Sequence, residues 1–330
     1  MTDLAAGPLF GLPLADLWFA LLFCLLGAFV LLDGFDFGVG ALFALRHDEA
    51  EREHLLAVVG PFWDGNEVWL VVFGGALFAA FPTVYAAVFS RYYLLLFCVL
   101  ALLILRGLAP EFREQREDDA WRRWWGRSFV AGSVGAPFCL GVFVADWTFG
   151  LDAILTVPGV LVGLALVALT IADGVAFVRL KVEGDLRETV RPYGERAAAA
   201  YLALVVVTLA YVVAALPRAA ANLLTPLGIA CVALSVLAGV GYALALRRGR
   251  DRAAFGAVAL TVVALVALVA RFMYPLVDPA AGTTVADAIV STLPLNLMSI
   301  AAVILLPLVS GYFVLLYTSF SGSIESGEGY

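Results

Sequence analysis

Long unbroken apolar runs, separated by short charged stretches, dominate the chain. Around 14–44, 56–80, 84–106, 127–149, 153–179, 197–216, 226–246, 253–273 and 293–318 the run reaches the length that a membrane-crossing helix needs, about 20 residues. The runs are continuous rather than alternating and far exceed the roughly 10 residues of a transmembrane strand, so a β-barrel is excluded. The pattern predicts an all-α integral membrane protein of about nine transmembrane helices, a count that allows two four-helix bundles plus one peripheral helix. No polar stretch is long enough to hide a soluble domain, and residues 1–330 are expected to form a single polytopic membrane domain.

Composition agrees: 63% of the 330 residues are hydrophobic and 14% charged, against about a quarter charged in soluble chains. The opening MTDLAAGPLFGLPLAD lacks the basic start of a cleavable signal, so the helices themselves are expected to direct insertion. The net charge of −7 says less than the placement of the basic residues. All but Arg91, Arg218 and Arg271 of the 20 Lys and Arg fall after the first, third, fifth and seventh runs. Basic loops stay in the cytoplasm. The N-terminus is therefore expected outside and the tail SGSIESGEGY in the cytoplasm. Trp121, Trp124 and Trp125 suit a headgroup-level anchor. Cys24, Cys98, Cys139 and Cys231 lie in apolar runs without metal-ligand spacing and read as small core residues.

Against this apolar background the acids need explaining. "LLDGFDF" places Asp33 and Asp36 inside the first run, and "GPFWDGNEVWLVVFGG" places Asp64, Asn66 and Glu67 inside the second. A charge at mid-bilayer costs about 2.5–3.5 kcal/mol even on insertion scales. Asp36 and Asp64 each stand ten residues from the charged turn RHDEAEREH, about 15 Å along a regular helix. Each pair is spaced i, i+3 on one helix face. Four carboxyls are thus expected to converge at matching depth beside Asn66, and at least one of them holds a proton at neutral pH, because like charges that close in low dielectric cannot all ionise. Hydrogen-bonded polar glue is the plain alternative. A proton relay accounts better for four acids together. Asp146 and Asp152 read as solvated residues near the outer surface.

Asp-Gly recurs at Asp33-Gly34 and Asp173-Gly174, in helices of the same direction, which suggests a weak parallel repeat of helices one to four and five to eight. The only histidines, His47 and His54, lie in the charged turn, and Met273 and Met298 near the outer helix ends, so no helical histidine is available as a haem ligand. There is no P-loop, Rossmann glycine pattern or nucleophile elbow, and no nucleic-acid partner is expected. Redox or hydrolytic chemistry is therefore expected on another chain.

"LDGFDFGVGAL", "PFWDGNEVWLVVFGGALFAAFPTVYA", "LILRGLAPEFR", "WGRSFVAGSVGAPFCLGV", "KVEGDL" and "LNLMSIAAVILLPLVSGYFVLLY" together resemble subunit II of the cytochrome bd family of quinol oxidases, over most of the chain. The resemblance implies a haem-free partner of a subunit I that carries two b-type haems, one d-type haem and the quinol site. It implies a heterodimer in the prokaryotic cell membrane, in contact with lipid, joined in some members by small accessory membrane subunits. Some members hold a structural quinone in this subunit, and no motif here decides it. Asp64 then matches the family acid at the cytoplasmic mouth of a proton path, and Asp33 and Asp36 match the acids of the DGFD motif. Phe62 stands where some members have His and Glu67 where some have Gln, while Asp173 replaces a polar residue. A stand-alone proton-coupled transporter is the rival reading of the same acids.

Overall fold

The computed structural model describes residues 4–5, 7–153 and 155–323; the start of the chain and the tail from residue 324 lie outside the described residues. After a short 3-10 turn at Leu9–Gly11 the helices are α1 (Leu14–Ala44), α2 (Glu49–Val59), α3 (Trp63–Ala80), α4 (Pro82–Arg91), α5 (Tyr93–Glu114), α6 (Asp119–Phe149) and α7 (Val157–Lys181). There follow α8 (Asp185–Ala215), α9 (Pro217–Leu223), α10 (Pro226–Arg247), α11 (Asp251–Met273), the antiparallel strand pair β1 (Leu276–Asp278) and β2 (Thr283–Thr284), α12 (Val285–Ala288) and α13 (Thr292–Ser319). Among the described residues eight helices are long and apolar enough to cross a membrane alone, and nine spans result if α2 and α3, bent by 50° to each other, count as one. The all-α membrane fold expected from the apolar runs is the one observed.

α1 and α7 form the centre. α1 packs on α3, α6, α7 and α11, and α7 on α6, α8 and α11, while α5 pairs with α6 and α10 with α11. Two groups of four spanning helices therefore meet along the α1–α7 contact, and α13 lies outside them, buried only at Leu295 and Asn296. The crossing is tight because both helices present glycine: a Cβ on Gly38 would fall 2.8 Å from the Cα of Gly174. Phe35 and Phe177 stack across the same crossing with centroids 3.8 Å apart. At the end of the bundle away from the α1–α2 connection Arg91 donates to both oxygens of Asp278 at 2.8 and 3.2 Å, pinning the α4–α5 junction to the strand pair.

Local chemistry overrides several expectations drawn from the apolar runs. The charged turn RHDEAEREH is mostly helix: Asp48 caps α2 by accepting from the Ala50 N–H, and Leu55, Val58 and Val59 bury one face at helical spacing. Gly60 and Pro61 then bend the chain, since proline lacks the N–H that would continue the ladder. The run at 84–106 is divided at Tyr92 into α4 and α5, and α8 begins at Asp185, because DLRETVRPYGER continues as helix toward the run at 197–216. Of the cysteines only Cys231 is buried; Cys98 and Cys139 face each other with sulfurs 3.7 Å apart. Asp146, expected to be solvated, is fully buried, because α6 ends in a left-handed turn at Gly150 and the chain returns to give Asp146 the Thr156 hydroxyl.

Candidate functional site

The DGFD acids of α1 face α3 and α5. Asp33 and Asp36 are 0% and 2% exposed, and what meets them is an arginine from another helix. Arg106 of α5, 2% exposed, donates to Asp33 Oδ1 at 2.7 Å and to Glu67 Oε2 at 3.0 Å. Its guanidinium lies over the Phe37 ring, 4.5 Å from the centroid. α5 can deliver this side chain because α6 offers glycine at the contact: a Cβ at Gly132 would fall 2.8 Å from the Arg106 Cβ.

The second limb is neutral. Asn66 donates to Asp36 Oδ2 at 2.9 Å, and its own carbonyl accepts from the Tyr317 hydroxyl of α13 at 2.8 Å. Tyr317 is fixed by stacking on Phe62, at 4.8 Å between centroids. Asp36, Asn66 and Tyr317 thus form one hydrogen-bonded row, with Asp33, Arg106 and Glu67 beside it.

Three of the four expected acids converge. Asp33, Asp36 and Glu67 share the site with Asn66, whereas Asp64 does not join them: it is exposed and makes no hydrogen bond or ion pair among the described residues. The bend at Gly60 and Pro61 is the reason. It makes Asp64 the second residue of α3, at the start of the helix rather than about 15 Å along it, and turns it to the side carrying the exposed Val68, Val71 and Phe78. A fourth acid, fully buried, comes instead from α7. Asp173 is 1% exposed, neither of its oxygens has a hydrogen-bond partner, and it lies against α1 so closely that a Cβ at Gly34 would stand 3.0 Å from its Oδ2. Asp33 Oδ2, Asp36 Oδ1 and Arg106 Nε are unpartnered as well.

Arg106 is the residue of this cluster that the loop count misplaced, by assigning it to a basic loop. The signal was present: Arg106 stands eight residues inside the end of α5 at Glu114, about 12 Å, at nearly the depth of Asp36. Arg179, assigned to a loop by the same count, is likewise buried, within α7.

A pocket of about 780 Å³ leads to these residues. Asp36 and Arg106 line it, together with Glu53 and His54 of α2, Glu111 of α5 and Arg122 of α6. Among the described residues no three His, Cys, Asp or Glu side chains are placed to hold a metal ion. A haem iron would need axial ligands within the bundle, whereas His47 is exposed and His54 sits on α2. Neither histidine is therefore an axial ligand inside the bundle.

The chain is 36% identical over 336 residues to cytochrome bd ubiquinol oxidase subunit 2 of Bacillus subtilis, covering 96% of this chain and 98% of that one. It is 32% identical over 363 residues to cytochrome bd-I ubiquinol oxidase subunit 2 of Escherichia coli, covering 94% and 95%. In fold it matches a chain of the bd oxidase from Geobacillus thermodenitrificans with a TM-score of 0.78 at 18% identity, over 93% of this chain and 98% of the other. The family model described as cytochrome bd terminal oxidase subunit II matches residues 14–320. With that match the rival reading as a stand-alone transporter lapses, and the chain belongs to the subunit II family of cytochrome bd terminal oxidases.

Proposed function

We propose that this chain is the haem-free subunit II of a bd-type quinol:oxygen oxidoreductase, stabilising the haem-bearing subunit I and carrying protons toward it from the cytoplasmic side. The pocket that reaches Asp36 and Arg106 carries this reading. It gives water and protons access to acids that are otherwise sealed inside the bundle.

The arrangement suits proton transfer for an electrostatic reason. One guanidinium cannot neutralise Asp33, Asp36, Glu67 and Asp173 together in low dielectric, so the group holds protons as well as charge. Arg106 keeps Asp33 and Glu67 as its counter-ions. Asp36, held from one side by the amide of Asn66, keeps Oδ1 free to take up a proton from the pocket. Asp64, exposed at the inner end of an otherwise apolar stripe of α3, is placed to pass protons to a membrane partner lying on that stripe. With the N-terminus outside and the C-terminus in the cytoplasm, the pocket opens to the cytoplasm. The equivalent placement of the Asp-Gly segments in α1 and α7 supports reading the two four-helix groups as a parallel repeat.

Asp36→Asn and Asp64→Asn test the proposal, since each keeps size and hydrogen bonding but removes the titratable proton. Both complexes should assemble with normal haem content, while oxygen consumption per haem falls about a hundredfold, the lower end of what a proton-transfer group contributes. Unchanged turnover in both would overturn the relay. The isolated chain should bind no haem; stoichiometric haem on it would overturn the division of labour between the subunits.

A further inference from the structure

A second pocket opens at the same end of the bundle, where Arg46, just past α1, donates to the Tyr193 hydroxyl of α8 at 2.9 Å. It has a volume of about 720 Å³ and lies between the α7–α8 and α10–α11 connections. Its lining is more basic than that of the first pocket. Arg179, Arg187, Arg250 and Arg252 line it, against Asp251 and Glu183, on a chain whose net charge is −7.

The floor is built rather than incidental. Arg179 Nε donates to Asp251 Oδ1 at 2.7 Å, and Arg187 Nε to Asp251 Oδ2 at 3.1 Å. Two guanidinium groups therefore meet on one buried carboxylate, and Arg179 also donates to Glu188 at 3.3 Å, so the unbalanced positive charge of the pocket comes from Arg250 and Arg252. Arg250 and Arg252 are exposed and make no ion pair among the described residues. Gly184 and Gly249, with φ of +78° and +64°, make the tight turns that place the starts of α8 and α11 at the pocket. The N-cap residue of neither helix supplies a side-chain acceptor, so both helix starts leave backbone N–H donors for an anion. Leu180, Val182 and Ala253 add an apolar edge.

We propose that this pocket binds a phosphate group, supplied at this depth by the headgroup of an anionic phospholipid. Arginine forks suit the planar, bidentate recognition of phosphate oxygens. A pocket of this volume lies in the range of small-ligand sites and accommodates a glycerophosphoryl headgroup, with acyl chains leaving along the apolar edge into the bilayer. The site is separate from the acid cluster and independent of the proton-relay reading.

The test uses the intact oxidase complex, purified and stripped of lipid, with binding counted by native mass spectrometry against dioleoyl phosphatidylglycerol, dioleoyl phosphatidylcholine and glycerol 3-phosphate. The wild-type complex should retain phosphatidylglycerol at least tenfold more tightly than phosphatidylcholine, and Arg250→Gln combined with Arg252→Gln should erase that preference. Glycerol 3-phosphate that binds the wild type alone and displaces phosphatidylglycerol would support the same phosphate site, filled from solution. Equal binding of both lipids by the wild type, or an undiminished preference in the double variant, would overturn the proposal. A photoactivatable phosphatidylglycerol on the unaltered complex gives a check that needs no variant: cross-links at residues 183–187 or 249–253 support the site, and cross-links only elsewhere overturn it.

Discussion

The Asp-Gly segments of α1 and α7 look alike in the sequence and end in opposite electrostatic situations. Asp33-Gly34 and Asp173-Gly174 lie side by side at the same helix crossing, and both acids are buried. Asp33 receives Arg106 from α5. Asp173 receives nothing: in its half of the molecule the neighbouring side chain is Tyr242 of α10, whose hydroxyl goes to the Ala172 carbonyl at 2.6 Å. An unpaired carboxylate inside a bundle is costly, and Asp173 lacks the counter-ion that Asp33 has in Arg106. A shared motif places two acids; the helix packed over each decides what partner it meets.

The largest expected effect is at Arg106. Arg106→Leu strands Asp33 and Glu67 without their donor and should cost about 3–5 kcal/mol, the usual penalty for breaking a buried pair from one side, seen as loss of assembled, haem-containing complex. Thermal unfolding as stable as wild type would show that Asp33 does not depend on Arg106, and the contrast would fail. Next comes the crossing itself. A Cβ at Gly38 meets the backbone of Gly174, which cannot rotate away, so Gly38→Ala should destabilise by about 2–3 kcal/mol through overpacking.

Asp33→Asn against Asp173→Asn measures the contrast directly. Asn at 33 loses a charge-assisted bond and should cost about 2 kcal/mol, whereas Asn at 173 breaks no bond and should lie within about 0.5 kcal/mol of wild type. Midpoints of thermal unfolding for the two variants, recorded side by side, give the difference; equal losses would mean that Asp173 has a partner after all. The smallest effect is expected at Gly65, where a Cβ would meet its nearest atoms, in Leu316 and Phe313, only at 3.8 Å. Gly65→Ala should change stability by less than about 0.5 kcal/mol, which would separate the backbone contact of α1 with α7 from glycine content in general.

Much of this was legible along the chain. The spans at 14–44, 226–246, 253–273 and 293–318 agree with α1, α10, α11 and α13 to within two residues, because a bilayer accepts only segments that satisfy their own backbone. The site was half legible. The spacing of Asp33, Asp36 and Glu67 announced a shared depth, but Arg106 lies 73 residues from Asp33, and Tyr317 lies 251 residues from Asn66. Periodicity reports which face of a helix is polar, not which helix will come to meet it. Asp64 was misplaced for a local reason, since one bend at Gly60 and Pro61 shifts every depth counted through it.

By itself the sequence determined the class of protein, the family and the presence of acids where a bilayer penalises charge, because each follows from local composition and spacing measured against a solvent of fixed thickness. Only the tertiary structure decided that Arg106 neutralises Asp33, that Asn66 and Tyr317 hold Asp36, that Asp64 faces out of the bundle and that Asp173 stands alone. Those outcomes depend on which helices pack together, and in a bundle that choice rests on close backbone approach at glycines such as Gly38, Gly132 and Gly174, a matter of shape between distant segments that no window of sequence contains.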